Sequence, residues 1–223
     1  MRLIRLIGLL LLALLLSACA TPTPYDYTAF KQSRPRSVLI LPPVNNSPEV
    51  KATYSVYAQM SVPLAEAGYY VFPVALVDET FRQNGLANPP EIHAVKPAKL
   101  REIFGADAAL YATITQYGAR YTVLDSVVTV TVNAKLVDLK TGAVLWAGAA
   151  TASDAENRNS GGNGLLGVLV EAAFRQIVNS LMDPSHRLAG ETSARLLSAG
   201  RDGAVLYGPY SPLYGQDGVK ATQ

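Results

Sequence analysis

Between Val127 and Val137 the chain alternates strictly with period two, and few patterns restrict a fold more tightly. Val128, Val130, Val132, Ala134 and Leu136 fall on one face, while Thr129, Thr131, Asn133 and Lys135 fall on the other. That is an antiparallel strand with one buried side. Asp138-Leu139-Lys140-Thr141-Gly142 follows, then Ala143-Val144-Leu145-Trp146, so a polar turn with glycine where positive φ is needed leads into a second strand. Asp138, Thr141, Gly142 and Trp146 mark this structural hairpin. A sheet with one apolar face must be covered by something, and the rest of the chain has to supply it.

Ala108 to Tyr117 also has period two. Val38-Leu39-Ile40-Leu41 is wholly apolar and ends at Pro42-Pro43, as suits a central strand buried on both faces. Val50, Tyr54, Tyr57, Ser61 and Leu64 recur at helical spacing, with a kink or restart expected at Pro63. Tyr69 to Phe72 reads as a second strand, which a helical crossover makes parallel to the first. Ala75–Asn84 and Pro97–Phe104 are helical, with Asn88-Pro89-Pro90 as loop between them. Leu165 to Leu181 carries a long amphipathic pattern expected to cover the sheet, and past Asp183-Pro184 the abundance of Gly, Pro and Tyr predicts irregular structure. The fold class is therefore α/β: a mixed sheet whose first two strands are parallel, an antiparallel meander, and helices packed on the sheet.

The amino terminus carries a different signal. Arg2 and Arg5 precede an apolar run from Leu6 to Leu16, then come Ser17, Ala18 and Cys19. The run is too short for a transmembrane helix, which needs about 20 residues, and reads as an export signal cleaved after Ala18. Leu16-Ser17-Ala18-Cys19 resembles the lipobox of bacterial lipoproteins, which implies acylation of Cys19. Ala20 after it implies sorting to the outer membrane and a periplasm-facing domain. The expected division is residues 1–18 as signal peptide, 19–36 as lipidated cysteine and tether, 37–182 as the α/β domain, and 183–223 as a Gly/Pro/Tyr-rich carboxy-terminal segment. A fully extended tether would reach about 50 Å at about 3.3 Å per residue.

Composition excludes several functions. The 19 basic and 17 acidic residues become 17 and 17 once Arg2 and Arg5 leave with the signal, so no field steers the domain to nucleic acid. Cys19 is the only cysteine; once acylated it leaves no thiol for a disulfide, a metal or a nucleophile. The two histidines, His93 and His186, fall in predicted loops with no ligand spacing between them. Gly162-Asn163-Gly164-Leu165-Leu166-Gly167 matches the dinucleotide fingerprint in letters, but a long polar loop stands where its strand should be. No cofactor, metal site or catalytic set is expected. Tyrosine combines apolar area with a polar tip, so Tyr54, Tyr57 and Tyr117, with Leu165 and Leu169, are the candidate interface residues.

Val-Leu-Ile-Leu-Pro-Pro, Leu-Ala-Glu-Ala-Gly-Tyr-Tyr-Val-Phe-Pro, Phe-Gly-Ala-Asp-Ala and Val-Asp-Leu-Lys-Thr-Gly-Ala-Val-Leu-Trp occur in that order between Val38 and Trp146. Over roughly Val38 to Leu181 the chain resembles a family of bacterial lipoproteins grouped with the curli-secretion lipoprotein CsgG and with the amino-terminal domain of TolB. The resemblance implies a TolB-like domain in an envelope secretion or surface-assembly system, with envelope lipoproteins, secretion components or further copies of itself as partners. A CsgG-like channel subunit is one alternative. Membrane-crossing strand pairs need about ten residues each, and Tyr117 to Asp125 leaves little room for them. An envelope hydrolase using His93 or His186 is the other.

Overall fold

The computed structural model describes residues 25–121, 126–158 and 183–216. The elements in chain order are α1 (Thr28–Ser33), β1 (Ser37–Ile40), β2 (Val44–Asn45), α2 (Ala52–Gln59), α3 (Ser61–Glu66) and β3 (Tyr70–Val71). After them come α4 (Val74–Gln83), α5 (Pro89–His93), α6 (Pro97–Phe104), β4 (Ala108–Tyr121), β5 (Ser126–Asp138), β6 (Val144–Ser153), α7 (Ala155–Arg158) and α8 (Pro184–Leu197).

The sheet runs β3-β1-β4-β5-β6, with β2 also on β4. β1 is parallel to both β3 and β4, and β4, β5 and β6 form an antiparallel meander. The architecture is thus mixed α/β. β1 and β2 lie in sequence along β4 and are parted by Pro42-Pro43, which have no N–H to give the ladder. The carbonyls left over are taken up by side chains: His93 Nε2–H donates to Pro42 O at 3.0 Å and Thr53 Oγ1 donates to Pro43 O at 3.3 Å. A bulge at Thr115 lets Ile114 and Tyr117 share the buried face although they are three residues apart.

β1 is buried on both sides. Val38 and Ile40 join a large cluster with the inward residues of β4 and β5, Val56, Tyr57, Met60 and Leu64 of α2–α3, and Leu188 and Leu197 of α8. Leu39 and Leu41 join a smaller cluster on the opposite face with Val77, Phe81, Ile92 and Leu100 of α4–α6. That second layer covers only Ala109, Tyr111 and Val137 of the meander.

Several expectations are corrected. Strand Tyr69–Phe72 shortens to Tyr70–Val71, because Tyr69 turns inward and its hydroxyl donates to Leu206 O at 2.6 Å. The first crossover restarts at Met60, and its buried face is Ala52, Thr53, Val56, Tyr57, Met60 and Leu64, so that of the expected stripe Tyr57 and Leu64 are buried while Val50 and Tyr54 are exposed. Pro89 opens helix α5 instead of lying in a loop, since proline at the first helical position gives up no bond. Residues 184–197 are a helix, not irregular chain: Asp183 accepts from Ser185 N at 3.0 Å as its cap and Pro184 sits at the first turn. The amphipathic stretch Leu165–Leu181 lies outside the described residues, and α8 covers the sheet.

The expected tether also changes. Residues 28–33 form α1, which is far too short to persist alone. Phe30, 4% exposed, anchors it in the large cluster, a burial worth about 1.5–3 kcal/mol. Tyr25 Oη accepts from Ala147 N on β6 at 2.9 Å, so the chain is fastened to the sheet from its first described residue.

Beyond α8 the chain folds back as a strap over the large cluster. Gly208 N donates to Ala67 O at 2.8 Å and Tyr210 N to Gly68 O at 3.0 Å. The approach is backbone on backbone: a Cβ on Gly68, whose φ is +94°, would stand 2.4 Å from Ser211 N. We expect Gly68→Ala to cost about 2–4 kcal/mol from combined αL strain and overlap, lowering Tm by roughly 5–15 °C and exposing residues 203–216 to protease. Gly85→Ala, with φ +78° and open space around it, should cost only about 1–2 kcal/mol. Thermal denaturation of both variants checks the contrast.

Candidate functional site

The hairpin turn is built around one carboxylate. Asp138 Oδ1 accepts from Lys140 N at 2.8 Å, Thr141 N at 2.6 Å and Thr141 Oγ1 at 2.9 Å, and Oδ2 accepts from Ser33 Oγ. Burial pushes the carboxyl up, but the Ser33 and Thr141 hydroxyls and the turn amides together hold it below its ordinary value. Gly142 takes φ +78° and donates N–H to Asp138 O at 2.8 Å. Trp146 is 1% exposed and donates Nε1–H to Gly203 O at 2.8 Å. Its ring lies so flat along β6 that a Cβ on Gly148 would meet it at 2.4 Å. These residues join the turn to α1 and the strap.

Both histidines are helical, contrary to the loop expectation. His93 ends α5, half-buried and edge-on to Tyr111 with ring centroids 5.3 Å apart. Burial depresses its pKa; the Pro42 carbonyl opposes this, and Lys135 reinforces it. His186 lies in the first turn of α8, with Nδ1 2.8 Å from Ser55 Oγ and Nε2 2.9 Å from Gln59 Nε2. Tyr117 Oη donates to Ser55 Oγ at 2.8 Å. The serine hydroxyl, the imidazole and the Gln59 amide can each give or take a proton here, so these contacts fix the place of the ring and leave its donor and acceptor roles to the tautomer. Asp183, the carboxylate that could orient the imidazole, is paired with Lys51 at 2.6 Å. The cluster clamps α8 to α2 and β4. Among the described residues no three His, Cys, Asp or Glu side chains are grouped to hold a metal.

Two candidate interface tyrosines are corrected. Tyr57 is 2% exposed and donates to Ile40 O at 3.0 Å, and Tyr117 is 5% exposed within the clamp. Both belong to the core because their hydroxyls find acceptors there. Tyr54 is half exposed, with its hydroxyl 2.5 Å from Arg82 Nη2. Leu165 and Leu169 lie outside the described residues, as do Ala18, Cys19 and Gly162–Gly167.

Sequence reasoning missed a cleft of about 430 Å³ between α1 and the strap. Phe30, Tyr69, Tyr207 and Tyr214 give it aromatic walls, and Lys31 and Arg34 bring two cations to it. The available signal was the spacing of Tyr25, Tyr27 and Phe30 beside Leu206-Tyr207-Gly208-Pro209-Tyr210, two aromatic runs at opposite ends of the chain. On the sheet, the half not covered by α4–α6 presents Thr115, Asn133, Ala147, Ala149 and Thr151 as exposed residues, with Thr113 and Thr131 partly buried among them.

The family model described as GNA1162-like lipoprotein matches residues 25–210. The lipoprotein NMB1124/NMB1162 of Neisseria meningitidis serogroup B is 50% identical over 198 residues, covering 88% of this chain and 91% of that one. The crystal structure of lipoprotein GNA1162 from Neisseria meningitidis superposes with a TM-score of 0.51 at 50% identity, covering 65% of this chain and 99% of that one. A point variant of the PelC dodecamer from Paraburkholderia phytofirmans aligns at 15% identity and a TM-score of 0.44 over 78% of this chain and 91% of that one.

His93 gives a pH dependence of defined sign. Its folded pKa is depressed below the ordinary 6.5, so its contribution is complete above that value and is lost as pH falls through the folded pKa. Denaturant unfolding should therefore show stability declining as pH is lowered from 7 toward 5. His93→Gln, which keeps a donor for Pro42 O, should flatten that decline.

Proposed function

The chain belongs to the GNA1162-like lipoprotein family, and we propose that it is an outer-membrane lipoprotein, acylated on Cys19 after cleavage behind Ala18. Its TolB-like domain faces the periplasm and contacts other envelope proteins in a secretion or surface-assembly system, without catalysing a reaction. The observation that carries this reading is the junction of two signals: the lipoprotein family match starts at residue 25, six residues after the cysteine of Leu16-Ser17-Ala18-Cys19. Acyl chains on one cysteine hold such a domain at a membrane firmly, since each buried methylene contributes about 0.8 kcal/mol.

Two features support a contact role. Among the described residues, the Thr- and Ala-lined half of the sheet presents exposed small side chains, and β6 is a ten-residue strand at the edge of the sheet. Among the described residues, the side chains that bond the β6 backbone beyond its ladder are those of Tyr25, Glu156 and Arg195. The surroundings of His186 argue against the hydrolase alternative, because Asp183, the carboxylate that could orient the imidazole, is engaged by Lys51 at 2.6 Å. The channel alternative is weakened by β4 and β5, which pair with each other from Ala108/Asp138 to Tyr121/Ser126 within the domain sheet. Their inward residues from Val128 to Leu136 are core.

Metabolic labelling with an alkyne fatty acid should tag the wild-type protein and not Cys19→Ser, and the variant should leave the membrane fraction. In-cell crosslinking of the labelled protein should then capture a defined complex with other envelope proteins. A large ring of identical chains would favour the channel instead, and a strict monomer without envelope partners would overturn the contact role.

A further inference from the structure

The cleft under the strap has a chemistry that the proposed contact role leaves unused. Arg82, Arg101, Arg187 and Arg195 each have a carboxylate within ion-pair distance. Lys31 and Arg34, at the cleft, form no ion pair among the described residues. The side-chain bond of Arg34 runs from Nε to Lys31 O at 3.2 Å, so both Nη groups are open to a ligand. Arg34 is also the one non-glycine residue with positive φ among those described, at φ 47° and ψ 56°. Its backbone ends α1 as a left-handed cap, which Gly or Asn would fill with less strain. Arginine at this position carries a guanidinium to the cleft at a conformational cost that capping alone does not require.

The walls complete the site. Phe30 and Tyr69 are buried, Tyr207 is half-buried and Tyr214 is exposed, so apolar surface runs from the core out to the two cations. Arg36, next to Pro35 of the cleft lining, lies over the Tyr210 ring at 5.9 Å and adds a third positive charge to the same end of the domain. A volume of about 430 Å³ suits a small ligand with an anionic head and a less polar body.

We infer that this cleft binds the phosphate headgroup of an anionic lipid in the membrane that anchors the protein, with phosphate at Lys31 and Arg34 and the glycerol and upper acyl carbons against Tyr207 and Tyr214. The choice of a lipid as the source of that phosphate rests on acylation of Cys19. Tyr25 is fixed to β6, so only the six residue-to-residue steps from Cys19 to Tyr25 separate the domain from the acyl chains, a reach of about 20 Å. Headgroups lie within that distance, and a negative lipid surface attracts cations near it.

The test uses the mature chain from residue 19 with Cys19→Ser, unacylated and ¹⁵N-labelled, so that headgroup binding is read apart from anchoring. It is titrated with dihexanoylphosphatidylglycerol below its micelle concentration, with dihexanoylphosphatidylcholine, and with inorganic phosphate. Phosphatidylglycerol should shift the amide signals of Lys31, Arg34 and Tyr207, and phosphatidylcholine should bind about tenfold more weakly or less. Lys31→Gln with Arg34→Gln should weaken phosphatidylglycerol about tenfold or more while leaving the β4–β5 signals in place, since both side chains are exposed. Three results would overturn the inference: no shift at the cleft, equal binding of the two lipids, or unchanged affinity in the double variant. Inorganic phosphate binding as tightly as phosphatidylglycerol would also overturn it, by assigning the site to a soluble anion. Because no acyl group is present on this protein, failure here leaves the labelling result for Cys19 untouched, and the two failures can be told apart.

Discussion

Three aromatic side chains, each donating a hydrogen bond to a carbonyl of the strap, hold the first and last described segments of this protein onto its sheet. Trp146 bonds Gly203 O at 2.8 Å, Tyr27 bonds Ala204 O at 2.5 Å and Tyr69 bonds Leu206 O at 2.6 Å. A strap crossing an apolar cluster without strand partners would bury carbonyls at a cost of about 1–3 kcal/mol each. The ring donors remove that cost, and Val205 and Leu206 then enter the core beside Phe30. Since Tyr27 belongs to the amino-terminal segment, Tyr69 to the approach to β3, and Trp146 to β6, the strap ties together parts of the chain that the sheet alone would leave apart. The cleft and the docking of α1 both depend on it.

Where the alternation was strict, the sequence was sufficient to read the meander. Val128 to Leu136 pack inward as the period demanded, and the apolar run at β1 is buried on both faces because α4–α6 supply a second layer. What escaped was structure fixed by contacts distant in sequence. Helix α1 has six residues, too few to persist alone, and it is held by the burial of Phe30 together with the Tyr27 bond to Ala204 O. The strap has a composition that reads as loose chain, yet its glycines permit the close approach at Gly68. Helix α8 was legible in principle, because Asp183-Pro184 is a cap followed by a first-turn proline, but the Gly- and Tyr-rich stretch after it dominated the reading.

The candidate site was less legible than the fold. Tyr57 and Tyr117 carry the side chain typical of interfaces, and pattern alone cannot show that Ile40 O and Ser55 Oγ await their hydroxyls in the core. Lys31 and Arg34 lie in a segment whose sequence pattern is that of a tether, where two cations carry no signal. Their significance emerges only when the strap, some 170 residues later, closes a cleft against them. The near balance of 19 basic and 17 acidic residues over the whole chain conceals this local excess of positive charge around α1.

The claim that the strap is a fixed part of the domain can be tested by native-state amide hydrogen exchange at Gly208 and Tyr210, whose N–H groups bond Ala67 O and Gly68 O. If the strap opens only with the domain, both amides exchange as slowly as those of β4 and β5. Exchange at rates typical of an unstructured chain, with the sheet still protected, would show that the strap is a loose tail and would contradict the account.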